Sequence, residues 1–277
     1  MILITGATGN VGRIAVERLA GEDRKVRALS RNPERTQWPT GVEAVAGDLT
    51  DPASLTEALA GIESVFLFAV PEAGPGFVAA AQEAGVRHVV LLSSGAIDDT
   101  TEVQDGAIAA YHFAVEQELR ASTIDWTFLR CEVFATNCLQ WSHQTKHGDE
   151  IRGAFADAAG TPIHEADIAD VAVAALTSQD HAGKIYHLTG PESLTHADQA
   201  RIIGEVLGRH LRYVEIPAEQ VRRQLAPFVP APVLDDILRV WERSVTVPRP
   251  VTADVEAITG HAARDFRTWV RDHADAF

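Results

Sequence analysis

The chain has 277 residues, of which 46% are hydrophobic and 23% are charged, and this composition excludes a disordered or fibrous protein. Its 39 acidic residues outnumber its 24 basic residues and give a net charge of −15, which disfavours nucleic acid and anionic membranes as partners. Two cysteines are too few for a disulfide framework, and no apolar stretch approaches the roughly 20 residues of a membrane span. We therefore expect a cytoplasmic protein that acts on a small molecule, with a homodimer left open.

Short apolar strands alternate with amphipathic helices along the first 130 residues. The pattern predicts strands at 2–5, 26–29, 42–46, 64–68, 88–92 and 125–129, and helices at 10–20, from Pro52, at 76–84 and at 107–121. Parallel sheets buried on both faces give this alternation. The fold class expected is α/β, with a doubly wound parallel sheet.

The alternation breaks after Arg130. Residues 132–163 are predicted to be irregular, a helix resumes at 167–177, and a further sheet strand follows at 184–188. Later patterns predict helices at 195–207, 217–226, 232–243 and 263–275, with a strand at 211–216. The expected division is a nucleotide-binding domain of residues 1–131, completed by about 164–189, and a smaller, mainly helical substrate or cap domain of residues 132–163 and 190–277.

A glycine-rich turn joins the first strand to the first helix. Gly6, Gly9 and Gly12 lie at the spacing in which the first glycine forms the tight turn, the second lets backbone approach a pyrophosphate, and the third lets helix pack on strand. The phosphates would then lie on N–H groups at the positive end of the helix. The alternative, a turn that only connects the two elements, is disfavoured by this strand–turn–helix context.

The end of the second predicted strand indicates which dinucleotide is bound. A carboxylate there would accept the ribose 2'-hydroxyl of NAD, but the sequence has Ser30 and Arg31, with Arg35 one turn further. A guanidinium suits a 2'-phosphate, so NADP(H) is the expected cofactor. The alternative is an ordinary solvated surface arginine.

Several segments together resemble one known family over essentially the whole chain. They are Thr5–Gly12, Val26–Arg31, Gly47–Leu49, Trp126–Arg130, Phe134 with Asn137, Glu165–Ala172 and Leu188–Glu192. In these segments the chain resembles the NmrA-like group of atypical short-chain dehydrogenases/reductases. The resemblance implies a Rossmann domain and either an NADPH-dependent reductase of quinones, dyes or phenylpropanoids or a protein that binds NADP as a signal without catalysis.

The resemblance also implies which parts of the chain lie near the cofactor. It puts Asp48 and Leu49 near the adenine, Ala69 and Val70 near the ribose, and the segment 131–134 beside the nicotinamide. Family members usually have proline where Cys131 stands, so the geometry of that loop is open. The full set expected at the cofactor is Gly6, Thr8, Gly9, Asn10, Val11, Gly12, Arg31, Arg35, Asp48, Leu49, Ala69, Val70, Ser93, Cys131, Val133 and Phe134.

The usual catalytic set of short-chain dehydrogenases is incomplete in this chain. Ser94 and Tyr111 occupy positions suited to the serine and tyrosine, but position 115, where the lysine should follow, is valine. Without a lysine, Tyr111 should keep a pKa near its ordinary value of about 10 and act as hydrogen-bond support or as a pocket wall. His112 and Glu116, four residues apart, could form a base and its orienting partner, or a surface salt link.

Other groups of histidine, cysteine and aromatic residues predict a functional site less strongly. His143 and His147, near Asp149 and Glu150, share a helical face, but no metal motif accompanies them and no metal is expected. Cys131 and Cys138 do not form a CxxC pair. The aromatic residues Phe134, Trp141 and Trp241 either line an apolar pocket or pack in a core.

The sequence favours an NADPH-dependent reductase that passes hydride to a small, apolar, conjugated acceptor such as a quinone or enone. Ser94, Tyr111 and His112 are its candidate catalytic residues. The rival hypothesis is an NADP(H) sensor without catalysis, which the missing lysine favours. An isomerase that keeps its NADP is disfavoured because it needs the full acid/base set.

Overall fold

The structure, a computed structural model, describes residues 1–70 and 73–277. Its chain forms two compact units. Unit 1 comprises residues 1–104, 109–131 and 165–187, and unit 2 comprises residues 105–108, 132–164 and 188–277. Both units are therefore built from separate stretches of chain.

Strands and helices are numbered here in chain order. Strands β1 to β11 are Ile2–Ile4, Val26–Ser30, Glu43–Ala46, Ser64–Phe68, His88–Ser94, Asp125–Cys131, Glu150–Gly153, Ala159–Gly160, Lys184–Leu188, Leu194–Thr195 and Arg212–Glu215. Helices α1 to α11 are Asn10–Gly21, Leu55–Leu59, Gly74–Glu83, Ala107–Ala121, Ser142–His147, Glu165–Thr177, His196–Leu207, Ala218–Leu225, Ala231–Ser244, Asp254–Thr259 and Phe266–Asp272.

Unit 1 is built on a seven-stranded sheet with the order β3-β2-β1-β4-β5-β6-β9. The pairs from β3 to β6 are all parallel, and the register aligns Ile2 with both Val26 and Ser64. The chain reverses its direction of progress across the sheet between β1 and β4, which is where doubly wound sheets open a crevice at the carboxyl ends of their strands. The predicted α/β fold class is confirmed.

The hydrophobic core of unit 1 explains why its strands have no polar alternation. Leu3, Val65 and Val89 are buried on one face of the sheet, and the residues that follow them, Ile4, Phe66 and Val90, are buried on the other face. Burial of each such side chain contributes about 1.5–3 kcal/mol relative to exposure. The continuous apolar runs in the sequence are therefore the mark of a sheet covered on both faces.

Unit 2 contains more regular structure than the sequence pattern predicts. The stretch 132–163, predicted to be irregular, holds a 3-10 helix at Ala135–Trp141, then α5, β7 and β8. Strand β7 pairs in parallel with β11, and β8 pairs antiparallel with β10. The prediction was wrong for β7 and β8 because these strands are only four and two residues long and pair with segments distant along the chain, whereas β11 confirms the strand predicted at 211–216.

Some helix boundaries also differ from prediction. The helix predicted at 263–275 is shorter, α11 at Phe266–Asp272 followed by a 3-10 turn, and α10 precedes it unpredicted. Asp265 caps α11 by accepting a hydrogen bond from Thr268 N, so the helix begins only there. None of the helices in residues 1–70 and 73–277 combines the length and apolar character needed to cross a bilayer.

Candidate cofactor and active site

The glycine turn after β1 is held by hydrogen bonds to the neighbouring strand β4. Thr5 donates to the Phe66 carbonyl at 3.0 Å, and Phe68 N donates to the Thr5 hydroxyl at 2.7 Å. Gly6 then turns the chain with φ +57°, a left-handed conformation that strains any residue with a side chain. The turn therefore begins at a fixed place on the edge of the sheet.

The turn ends at the start of α1. Gly9 N donates to the Gly6 carbonyl at 2.9 Å, and the Gly9 position offers no side chain to cap this end of the helix. A Cβ on Gly12 would lie 2.3 Å from the Gly6 carbonyl oxygen, so this position must be glycine for the helix to pack on the turn. Uncapped N–H groups at the positive end of a helix are suited to bind phosphate.

A cavity of about 580 Å³ opens beside this turn in unit 1. It lies at the carboxyl ends of β1 to β4, where the fold class places a nucleotide. Seven of the residues predicted at the cofactor line it: Gly6, Thr8, Arg31, Arg35, Asp48, Leu49 and Val70. Tertiary structure thus brings together segments that are up to 64 positions apart in the sequence.

The cavity combines two cationic side chains with one carboxylate. Arg31 and Arg35 are exposed, and neither is in an ion pair with a residue of the described ranges. Asp48 accepts hydrogen bonds from the Thr50 N–H at 2.9 Å and the Thr50 hydroxyl at 2.8 Å, and these bonds, with Arg31 nearby, hold the pKa of Asp48 below its usual range. Asp48 is therefore an acceptor at neutral pH, and the two guanidinium groups are available for an anion.

The cavity also has lining residues that the sequence interpretation did not assign to it. These are Leu29, Ser30, Asn32, Thr36, Gly47, Thr50 and Phe68. All seven lie within two positions of a residue expected at the cofactor, because each strand end contributes several neighbouring residues to the cavity. Phe68, at the end of β4, differs from the others in character, because it adds a large apolar side chain, 46% exposed, to the cavity lining.

Other residues predicted at the cofactor lie outside this cavity. Val11, Ala69 and Cys131 are buried, and the Ser93 hydroxyl donates to Glu116 at 2.6 Å, so these side chains face protein. Only their backbone groups remain for a ligand. Val133 and Phe134 belong to unit 2, where the Val133 carbonyl accepts a hydrogen bond from Ile163 N and Phe134 forms a parallel β-bridge with Ile163. Gly9 lies at the end of the turn beside the cavity, and Asn10 and Gly12 lie in the first turn of α1.

The candidate catalytic side chains lie on β5 and α4. Ser94 is the last residue of β5, and its hydroxyl accepts a hydrogen bond from Ala96 N at 3.2 Å. Tyr111 is half-buried, and its ring centroid is 3.9 Å from that of His112. Burial raises the pKa of Tyr111 above 10, which corrects the expectation of an ordinary value. The hydroxyl is therefore protonated at neutral pH and can donate a hydrogen bond.

Val115 and Glu116, which the helical spacing from Tyr111 and His112 singled out, both lie in the interior of unit 1. Val115, at the position of the usual lysine, is buried in the core of unit 1 and lies 3.2 Å from where a Cβ on Gly74 would be. Glu116, expected to pair with His112 or to lie in a surface salt link, is fully buried and accepts hydrogen bonds from Arg130 and Ser93. The surface salt link is wrong because the carboxylate faces the sheet.

The remaining clusters of unit 2 have protein partners. Asp149 binds Arg209 at 2.8 Å, Glu150 binds Arg212, and the rings of His143 and His147 stack 4.4 Å apart. Neither cysteine is in a disulfide, and the Cys138 thiol is buried against Gln199, which raises its pKa. Trp141 is buried in a core cluster, and Trp241 is half-buried, with its ring 5.0 Å from that of His196.

Comparison with known proteins places the chain in a family. The model of the NmrA-like family matches residues 1–267. The chain belongs to the NmrA-like family. Two similar relatives are the (4-alkanoyl-5-oxo-2,5-dihydrofuran-3-yl)methyl phosphate reductase of Streptomyces griseus, 40% identical over 100% of this chain and 99% of the relative, and the NAD(P)H azoreductase of Xenophilus azovorans, 30% identical over 100% and 99%.

A solved structure agrees with this NmrA-like assignment. The NADPH-dependent quinone oxidoreductase of Escherichia coli superposes with a TM-score of 0.83 at 26% identity, covering 99% of this chain and 100% of that one. The resemblance read from the sequence is confirmed. Because the chain matches this family and is similar to named reductases over its whole length, it is an oxidoreductase.

The residues of the NmrA-like chain suit a phosphorylated dinucleotide. Arg31 and Arg35 supply positive charge at the end of β2, and Gly9 leaves open the space above the N–H groups of α1. The cavity of about 580 Å³ is within the size range of cofactor sites. The fit of a dinucleotide therefore rests on the two guanidinium groups, on the N–H groups of α1 and on the space beside Gly9.

Proposed function

We propose that this NmrA-like oxidoreductase binds NADPH in the cavity of unit 1 and reduces a small conjugated acceptor, such as a quinone or enone. The observation that carries the proposal is the exposed pair Arg31 and Arg35 in the same cavity as the glycine turn. When bound, the dihydronicotinamide supplies a hydride. The named functions of the relatives support reduction as the reaction.

The acceptor class follows from the residue at position 115. Because the buried Val115 stands where a lysine would usually assist, that position supplies no ammonium to Tyr111. An acceptor that is already electrophilic needs little acid help, whereas a simple ketone needs much more. The substrate named for the Streptomyces griseus relative, a dihydrofuranyl methyl phosphate with an oxo and an alkanoyl group, has such a conjugated ring and supports this choice.

Two side chains of unit 1 are proposed to act on the acceptor. The Tyr111 hydroxyl donates a hydrogen bond to the acceptor oxygen; burial raises its pKa further above neutral pH, so it stays protonated. Ser94, at the end of β5, orients the same oxygen, with His112 beside the tyrosine ring. The test is to follow NADPH oxidation with a panel of quinones, conjugated enones and simple ketones. Turnover of ketones as fast as quinones would contradict the proposal, and tight NADPH binding without any turnover would favour the sensor alternative.

Arg31→Ala should remove the preference for NADPH. We expect the wild type to bind NADPH at least tenfold more tightly than NADH, about 1.4 kcal/mol, and the variant to lose about that factor for NADPH alone, since NADH has no 2'-phosphate. Calorimetric titration with both cofactors measures it. Arg24→Ala is the matched control, because Arg24 is an exposed arginine of unit 1 outside the cavity lining. Equal affinity of the wild type for both cofactors would contradict the assignment.

Tyr111→Phe should lower quinone turnover by about tenfold or less. Loss of a true general acid costs about 10²- to 10⁴-fold, but hydrogen-bond support to an activated acceptor contributes less. The measurement is kcat with a quinone, and NADPH affinity serves as the control because Tyr111 is not in the cavity lining. A loss above a thousandfold would mean that Tyr111 is a general acid despite the missing lysine.

A further inference from the structure

A buried guanidinium ties the carboxyl ends of β5 and β6 to helix α4. Arg130, on β6, is 1% exposed and donates to both oxygens of Glu116, from Nε at 3.0 Å and from Nη2 at 2.7 Å. Glu116, on α4, is 0% exposed and also accepts from the Ser93 hydroxyl at 2.6 Å. The helix is thereby fixed to the sheet through one charged side chain.

The same guanidinium holds a second carboxylate, on the loop that follows β5. Arg130 donates from Nη1 to Asp99 Oδ2 at 2.6 Å and from Nη2 to Asp99 Oδ1 at 2.7 Å. These bonds hold the pKa of Asp99 below its usual range, so the pair is charged at neutral pH. The Asp99 side chain is 56% exposed, so water competes with Arg130 for its carboxylate. The Arg130–Glu116 pair is buried away from water.

The loop that Asp99 anchors is already closed on itself. Gln104 donates to the carbonyls of Asp98 and Thr101 at 2.8 and 2.7 Å and accepts from Asp98 N at 2.8 Å. These bonds hold the loop together, and the bidentate bond of Asp99 to Arg130 connects it to β6. The loop runs directly from Ser94 towards α4, which carries Tyr111.

A stability role alone does not account for this arrangement. Replacing a buried ion pair by apolar residues is often neutral or stabilising, so such a pair is weak evidence for stability. Three members of the network instead lie beside, or on the same element as, a residue expected at the acceptor or the cofactor: Ser93 precedes Ser94, Glu116 lies on the helix of Tyr111, and Arg130 precedes Cys131. We infer that Asp99, acting through Arg130, is a positioning residue that holds Ser94 and Tyr111 in register for reduction of the acceptor. The inference rests on the proposed function.

Asp99→Asn tests the inference because it removes the charge from the exposed partner of Arg130 and leaves the buried Arg130–Glu116 pair intact. We expect kcat with a quinone to fall about tenfold, since displacement of positioned groups by about 1 Å is costly, while the Kd for NADPH stays unchanged. Asp99→Glu, which keeps the charge, should recover most of the activity. Glu63→Gln is the matched control: Glu63 pairs with Arg87 at 2.6 Å and is 59% exposed, but lies before β4, at the opposite end of the sheet.

Hydrogen exchange separates this inference from the proposed function. In Asp99→Asn we expect faster exchange in residues 95–104 and in the first turns of α4, and none of this in Glu63→Gln. An unchanged kcat and unchanged exchange in Asp99→Asn would overturn the inference, as would an equal loss of activity in Glu63→Gln. If the wild type reduces no acceptor, the proposed function fails. Hydrogen exchange still tests the inference in that case, because unaltered exchange in Asp99→Asn would show that Asp99 does not hold the loop in place.

Discussion

Replacing Gly9 with valine abolishes NADPH binding, with a rise in Kd of at least about a hundredfold, equivalent to about 2.7 kcal/mol, while the protein stays folded. Gly9 has φ −81° and ψ 175°, an ordinary extended conformation, and a Cβ at this position would meet one atom of the described residues within 4 Å, the Gly6 carbonyl oxygen at 3.1 Å. The Gly6 carbonyl must therefore move by a few tenths of an ångström to admit a Cβ, a local shift that we expect to leave the fold intact. The methyl groups of the valine fill the space above the N–H groups of α1 where the pyrophosphate is proposed to lie.

The control for this variant is Gly21→Val, at the other end of the same helix. A Cβ on Gly21 meets nothing within 4 Å in the part of the chain that the structure describes, so the variant matches the substitution without approaching the turn. Gly12 is not a suitable control, because its Cβ would meet the Gly6 carbonyl and disturb the fold itself. Calorimetric titration gives the Kd, and circular dichroism verifies the fold. A folded Gly9→Val protein with wild-type affinity would show that the phosphates bind elsewhere.

Arg130→Met lowers the free energy of unfolding by about 3–5 kcal/mol, because it leaves the fully buried carboxylate of Glu116 without its guanidinium. Ser93 and the more distant Arg120, 3.8 Å from Glu116, remain as partners, and Asp99 can turn to water. In a chain of this size such a loss corresponds to a fall in Tm of roughly 10 °C, which calorimetry resolves.

A double variant shows whether the uncompensated charge is the cause. Arg130→Met with Glu116→Leu removes both charges, so stability should recover most of what the single variant loses. Arg201→Met, which breaks exposed ion pairs on α7, should change the free energy of unfolding by less than about 1 kcal/mol. A double variant as unstable as Arg130→Met would instead attribute the loss to packing around the arginine.

Helical spacing alone gave the wrong surroundings for Glu116. Its position four residues after His112 predicts a neighbour on the helix surface, and the two residues do share a side of α4. The carboxylate nevertheless binds Arg130, which lies 14 positions later on a strand. Spacing along one helix identifies neighbours within that helix but contains no information on what faces it across the sheet.

The sequence by itself determined the α/β sheet of unit 1 and the glycine turn, because both depend on local properties: apolar runs for buried strands, and residues without side chains where backbone must turn or approach closely. It also identified Arg31 and Arg35 by their position at and just after the end of the second predicted strand. Only the tertiary structure decided that Phe68 joins the cavity, that β7 pairs with β11, and that Arg130 holds both Glu116 and Asp99. These contacts join residues far apart in the chain, and which of many compatible partners meet is settled by packing of the whole unit, not by local pattern.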